Sequence, residues 1–147
     1  MAIPPVEKKV HVSLDPADAF DMFTRQLARW RPLAHYSCSG ADSLDVQFEA
    51  RVGGAVVERT RDGARHVWGT VTLWDPSRRF AMTWHPGSPV AEATRLSVEF
   101  AAVRDGGTEV RLLHDGWENH TAARRDSYDG GWQVVLARFV AVSGEVR

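Results

Sequence analysis

The sequence predicts an α+β fold in which a curved antiparallel sheet closes around a long C-terminal helix, and three observations carry that reading. Residues 44–114 break into short runs of alternating apolar and polar side chains, divided by Gly, Pro, Asp and Ser turns. Tyr128, Trp132, Val135, Leu136, Phe139 and Val140 recur at i, i+4, i+7, i+8, i+11 and i+12, one apolar stripe of a helix. Short strands in series with tight turns favour a meander over a parallel sheet, which needs helical crossovers.

Taken in order, Val6, Lys8, Val10 and Val12 alternate with Glu7, Lys9 and His11, a strand pattern. Asp15 is a good N-cap, Pro16 suits the first helical position, and Asp18 favours the positive end of the helix. Ala19, Phe20, Phe23, Leu27 and Trp30 follow at helical spacing, so residues 16–30 form one helix or a split pair, ended by Pro32. Leu44, Val46 and Phe48 then alternate with Asp45, Gln47 and Glu49, and Val52-Gly53-Gly54-Ala55 forms a turn or bulge before a strand over 56–59. Arg61-Asp62-Gly63 is a turn. Strands follow over 67–74 and 79–85, and a hairpin over 94–103 and 108–114 turns at Asp105-Gly106-Gly107. Gly130 and Gly131 interrupt the last helix, each at a cost of about 1 kcal/mol relative to Ala. They imply a close backbone approach to the sheet or room kept for another group.

The bulk numbers narrow the function classes. A chain of 147 residues fits one domain spanning 1–147, with 44% hydrophobic and 25% charged residues. Lys and Arg number 18 against 19 Asp and Glu, a net charge of −1 that lacks the electrostatic footprint of a nucleic-acid binder. Cys38 is the single cysteine, so there is no disulfide framework and no thiolate metal cluster. Neither a leader pattern nor an apolar run of about 18 residues is present, so a cytoplasmic protein without membrane contact is expected.

No Gly-x-Ser-x-Gly elbow, phosphate-binding loop or glycine-rich helix start occurs, so no catalytic residue and no cofactor is assigned. Cys38 and His35 lack a third orienting group, and a free thiol is the simpler reading. His114, Asp115, Glu118 and His120 gather in one stretch, but no histidine pair has ligand spacing and no metal is assigned.

Several segments together resemble one family. They are Arg51-Val52-Gly53-Gly54, Gly69-Thr70-Val71 with Asp75-Pro76, Arg79-Phe80-Ala81-Met82-Thr83-Trp84, Gly107-Thr108-Glu109-Val110, and Gly116-Trp117 followed by Gly130-Gly131-Trp132. In this order they resemble the homologues of the heat-shock protein 90 ATPase activator, within the START/Bet v 1-like (SRPBCC) superfamily. The resemblance spans about residues 6–140. It implies the helix-grip fold, with a cavity between sheet and C-terminal helix, and relatives that carry lipids and steroids or cyclise polyketides. It also implies a chaperone ATPase as an alternative partner, although the namesake's further N-terminal domain has no counterpart in these residues.

The expected function is therefore binding of a small hydrophobic or lipid-like molecule. A polyketide cyclase or aromatase using the same pocket is one alternative, and a co-chaperone is the other. Homodimerisation through a sheet edge or the convex face is compatible with the pattern. The candidate pocket residues are Trp30, Phe48, Glu58, His66, Trp68, Trp84, Arg95, Trp117, Tyr128 and Trp132. Aromatic residues give contact area and a few polar groups give orientation, yet each of these aromatics serves equally well as plain core. Glu58 follows the Gly53-Gly54 turn where the family often carries an acidic residue, and burial would require a partner such as Arg95, His66 or Arg51. Strand alternation puts His66, Trp68, Thr70 and Thr72 on one face and Val67, Gly69, Val71 and Leu73 on the other. Which face is interior depends on the position of a bulge.

Overall fold

Strand β1 (Val6–Val12) is followed by α1 (Pro16–Phe23) and α2 (Leu27–Trp30), so the predicted helix is split. Strands β2 (Ser43–Phe48), β3 (Ala55–Thr60), β4 (Arg65–Asp75), β5 (Arg79–Trp84), β6 (Thr94–Ala102) and β7 (Thr108–Asp115) form the meander, and α3 (Ala122–Glu145) closes the chain. The computed structural model describes residues 2–31 and 43–145; His35, Cys38 and the helix stop at Pro32 lie outside them. The described strands form one antiparallel sheet in the order β1-β7-β6-β5-β4-β3-β2, so β1 pairs with the last strand.

Local chemistry explains the element ends. The Asp15 carboxylate accepts from the Asp18 backbone N–H at 2.9 Å, satisfying one of the donors left open at the start of α1. Gly63 and Gly106 take φ of +90° and +87° in the turns that lead into β4 and β7, a region that side chains with a Cβ rarely enter.

Alternation sorts the two faces of the sheet. Phe80, Met82 and Trp84 of β5, Thr94, Leu96, Val98 and Phe100 of β6, and Thr108, Val110, Leu112 and His114 of β7 are buried on the inner face. Arg79, Arg95, Glu99 and Arg111 face out. The edge strand β1 adds Val6, Val10 and Val12 to the interior, and Lys8 reaches α3, its Nζ 3.1 Å from Asp129 and 3.2 Å from Gln133.

Neither predicted face of β4 is interior throughout, because register shifts break its alternation twice. One lies opposite Val56 and Val57, and the other falls between Val71 and Leu73. Trp68, Val71 and Trp74 therefore point inward, while Arg65, His66 and Val67 are all exposed. Gly69 sits at the first bend, where a Cβ would lie 1.7 Å from the Thr83 carbonyl oxygen. That is a near-contact of backbones that no side chain survives.

The apolar stripe of α3 runs through Trp132, Val135, Leu136 and Phe139 to Val142, with Tyr128 half-buried at its start. Val140 is 36% exposed, because the inward face continues three residues past Phe139 rather than one. Gly130 corrects a second expectation: it is exposed, and a Cβ there would meet nothing within 4 Å. Leu44 is also turned out, at 56% exposure, by the register shift between Ser43 and Asp45.

The two glycines should respond in opposite ways to a methyl group. Gly69→Ala is expected to lower the unfolding free energy by about 3 kcal/mol or more, as overpacking against backbone does. Gly130→Ala should raise it by about 1 kcal/mol through helix propensity. Urea denaturation of the two variants measures both shifts.

Candidate functional site

The interior divides into two halves of different chemistry. Phe20, Phe23, Trp30, Phe48, Trp74, Phe80, Phe100 and Phe139 pack edge-to-face or tilted, with centroids 4.9–6.3 Å apart. This half is an apolar core. Trp30 belongs to it, with its indole N–H donating to the Met22 carbonyl at 2.9 Å. Phe48 also belongs to it, half-buried against Trp74 and Phe80.

The other half holds Trp68, Trp84, Trp117, Tyr128 and Trp132 with polar groups among them. Its centre is His114, the inward residue near the end of β7, which is 0% exposed. The Trp132 indole N–H donates to His114 Nδ1 at 3.0 Å, so that nitrogen must carry a lone pair. The ring proton therefore sits on Nε2 and is donated to Thr94 Oγ1 at 2.6 Å. The Thr94 hydroxyl passes the chain on to the Trp84 carbonyl at 3.1 Å. Trp117 donates to the His114 carbonyl at 2.9 Å, and the Trp84 indole donates to the Tyr128 hydroxyl at 3.3 Å. Each of these donors has a partner, which fixes the aromatic planes as well as satisfying their polar edges.

Against this wall stand two buried charged residues. Glu58, on β3 opposite Val46, is 0% exposed and accepts the Trp68 indole N–H at 3.0 Å. Arg31, just past α2, is 9% exposed. Its guanidinium carbon lies 4.9 Å from the Trp68 ring centroid and 5.4 Å from those of both Trp84 and Trp132. Three indole faces around one guanidinium is a strong cation–π arrangement, worth more in a desolvated place than at the surface. Trp68, whose ring meets Trp84 edge-to-face at 5.5 Å, is the neighbour that Glu58 and Arg31 share.

The geometry redraws the expected site. Glu58, Trp68, Trp84, Trp117, Tyr128 and Trp132 come together. His66 does not join them: although its backbone lies opposite Glu58, the bulge leaves it exposed. Arg95 points outward, to Asp115 at 3.2 Å and Glu118 at 3.3 Å, because its place in the β6 alternation is on the outer face. Arg51 pairs with Glu49 at 3.2 Å, so none of the three expected partners of Glu58 serves it here. The stretch from His114 to His120 also disperses, with His114 inward, Asp115 and Glu118 on Arg95, and His120 Nε2 2.8 Å from the Glu92 carbonyl. Among the described residues no three His, Cys, Asp or Glu side chains are placed to share a metal ion. Sequence reasoning missed Arg31 and Thr94, and it did not assign His114 to the site. The inward alternation Thr108, Val110, Leu112, His114 was the signal available for the last.

Burial pushes the His114 imidazole down from the usual 6.5 to about 3, with His120 acting in the same direction. A histidine held neutral binds its proton more readily in the unfolded chain, so its stabilisation is complete above pH 6.5 and is lost as pH falls toward 3. The expected slope approaches about 1.4 kcal/mol per pH unit below 6.5. The carboxyls of Asp62, Asp105, Glu109 and Glu118 are also held low by their hydrogen bonds, but they titrate from ordinary values of 3.8 and 4.5. Urea midpoints between pH 6.5 and 5 therefore report on His114, and His114→Gln should flatten that part of the profile.

The family model for "Activator of Hsp90 ATPase homolog 1-like protein" matches residues 13–144. No curated protein matches the chain by sequence. Among solved structures, the chain is 32% identical to an anthrahydroquino-gama-pyrone synthase, Txn09, complexed with SUM, over 96% of this chain and 97% of that one, with a TM-score of 0.66. Protein MLL2253 from Mesorhizobium loti is 13% identical over 97% and 98%, with a TM-score of 0.71. The Aha1 dimer from Colwellia psychrerythraea is 17% identical over 92% of each chain, with a TM-score of 0.68. The last two show a shared fold, the helix-grip arrangement of sheet and long C-terminal helix. On the family match and the relative at 32% identity, the chain belongs to the family of activator of Hsp90 ATPase homolog 1-like proteins.

Proposed function

We propose that this protein binds a small aromatic molecule between the sheet and α3, against the wall formed by Trp68, Trp84 and Trp132. One observation carries the reading: three buried indoles from β4, β5 and α3 surround the Arg31 guanidinium and are held there by a hydrogen-bonded network. Rings fixed in this way need no reordering when a flat ligand stacks on them. A ligand that buries roughly 200 Å² of apolar surface would gain about 5 kcal/mol before ordering costs.

A second reading uses the same place for ring closure. It is favoured by the 32% identity to a protein described as a pyrone synthase and by the two buried charged residues beside the wall. Ring closure of a hydroxyaryl ketone needs a group that takes a proton and a group that holds an oxygen gaining negative charge. Glu58 and Arg31 have those chemistries. A chaperone-docking role would draw on the outer face, where a depression of about 320 Å³ across β1, β6 and β7 is lined by charges such as Lys9, Glu99 and Arg111. Lys9 and Arg111 both pair with Glu109 there, at 3.7 and 2.8 Å.

The binding reading is tested with 1-anilinonaphthalene-8-sulfonate, followed by energy transfer from tryptophan and by competition with flavone. Saturable transfer, competed by flavone and weakened at least about tenfold by Trp132→Leu, is expected. No saturable binding in the wild-type protein would remove the reading. The ring-closing reading predicts that a hydroxyaryl alkynyl ketone isomerises to its pyrone faster with the protein than in buffer, and no acceleration would remove that reading alone.

A further inference from the structure

The strand register arranges the outer face of the sheet in rows. Leu73, Ala81, Ser97 and Leu113 stand abreast on β4, β5, β6 and β7, all half-buried and uncharged. On one side of this band, two residues along each strand, lies a charged row of Arg79, Glu99 and Arg111. On the other side lies a row of Thr83, Arg95 and Asp115. Depressions of about 320 and 290 Å³ cover the two sides and share Ser97 and Leu113 in their linings, so the band is recessed. An apolar centre flanked by charge is the layout of an interface with its rim. The flanking charges also have capacity left over. Arg95 meets Asp115 through Nε at 3.2 Å and Glu118 through Nη2 at 3.3 Å, which leaves Nη1 open. Arg111 meets Glu109 through Nε at 2.8 Å, which leaves both Nη groups open. Among the described residues, the side chains of Arg79 and Glu99 take part in no hydrogen bond or ion pair, although they stand opposite each other.

We infer that this face docks a second copy of the chain, related to the first by a two-fold axis that crosses the strands at the level of Ser97. Such an axis lays β6 antiparallel on β6 of the second copy and turns each charged row onto its opposite. Arg95 then stands over Glu99 of the second copy, Asp115 over its Arg111, and Thr83 over its Arg79. The apolar band falls on itself, Leu73 on Leu73, Ala81 on Ala81 and Leu113 on Leu113. Every pair occurs twice, as an isologous contact requires. Glu99, without a partner in its own chain, gains a guanidinium. An axis along β6 would instead set Arg95 on Arg95 and Glu99 on Glu99, so the charges choose between the two arrangements. Glu7 continues the apolar row on β1 and would meet its own counterpart, which ends the contact at β7. Four strands about 4.8 Å apart and three rows about 7 Å apart span roughly 400 Å² in projection. That is below the roughly 800 Å² per partner of a standard interface, so the dimer is weak and shifts with concentration.

Sedimentation velocity at submillimolar protein and low salt should show a concentration-dependent dimer, and added salt should weaken it because the pairs lie at the surface. Arg95→Glu sets carboxylate against carboxylate at both copies of the central pair, and Glu99→Arg sets guanidinium against guanidinium. Each variant alone should therefore dimerise at least about tenfold more weakly than the wild type. An equimolar mixture of the two variants should recover the dimer to within about threefold of the wild type, since every central pair then joins opposite charges again. Both positions are exposed, and circular dichroism checks that the variants fold. A wild-type protein that stays monomeric at submillimolar concentration would overturn the inference. So would a dimer that neither substitution weakens, or a mixture that associates no better than the separate variants. The binding readings are tested separately, because this face lies on the opposite side of the sheet from the aromatic wall.

Discussion

Strand β4 passes so close to β5 that residue 69 has no room for a side chain: a Cβ there would sit 1.7 Å from the Thr83 carbonyl oxygen. The approach comes with a register shift between β3 and β4, and a second shift follows at Val71–Leu73. Without the first shift, simple alternation would not turn Trp68 inward while leaving Val67 and Thr70 exposed on either side of it. With it, the Trp68 ring meets Trp84 at 5.5 Å, its indole N–H reaches Glu58, and its face lies under Arg31. The inner wall of the proposed site thus depends on a backbone contact that only glycine permits.

The two halves of the interior divide the work of the fold. The phenylalanine-rich half joins α1, α2 and the middle of α3 to the sheet through van der Waals contact and ring geometry. The second half is held by directed bonds that run from Trp132 through His114 and Thr94 to the backbone of Trp84. A network of that kind is sensitive to any one partner, because loss of one leaves a buried donor or acceptor unmatched. It also fixes ring planes more firmly than packing alone, which is what a stacking surface requires.

Much of the fold could be read directly from the chain. Turn residues, capping residues and the periodicity of α3 marked the elements, since each rests on local chemistry that neighbouring residues settle among themselves. The site was less legible for a geometric reason. Alternation marks the inward residues wherever a strand is regular, and it was an unused signal for His114 on β7, but the bulges of β4 reversed the parity that placed His66 with Trp68. Arg95 followed its regular strand outward to Asp115 and Glu118, where a pairing suggested by charge alone could not place it. Arg31 carried no periodic signal, lying after a helix of four residues and reaching the tryptophans only through tertiary structure.

The polar aromatic half of the interior is proposed to hold a ligand. The most direct measurement is native mass spectrometry of the protein as purified, followed by denaturing extraction and identification of any released compound. The account predicts a stoichiometric adduct that is lost on denaturation and proves to be a small aromatic molecule. A released compound without aromatic rings, or an apo mass together with no saturable binding of 1-anilinonaphthalene-8-sulfonate, would contradict it.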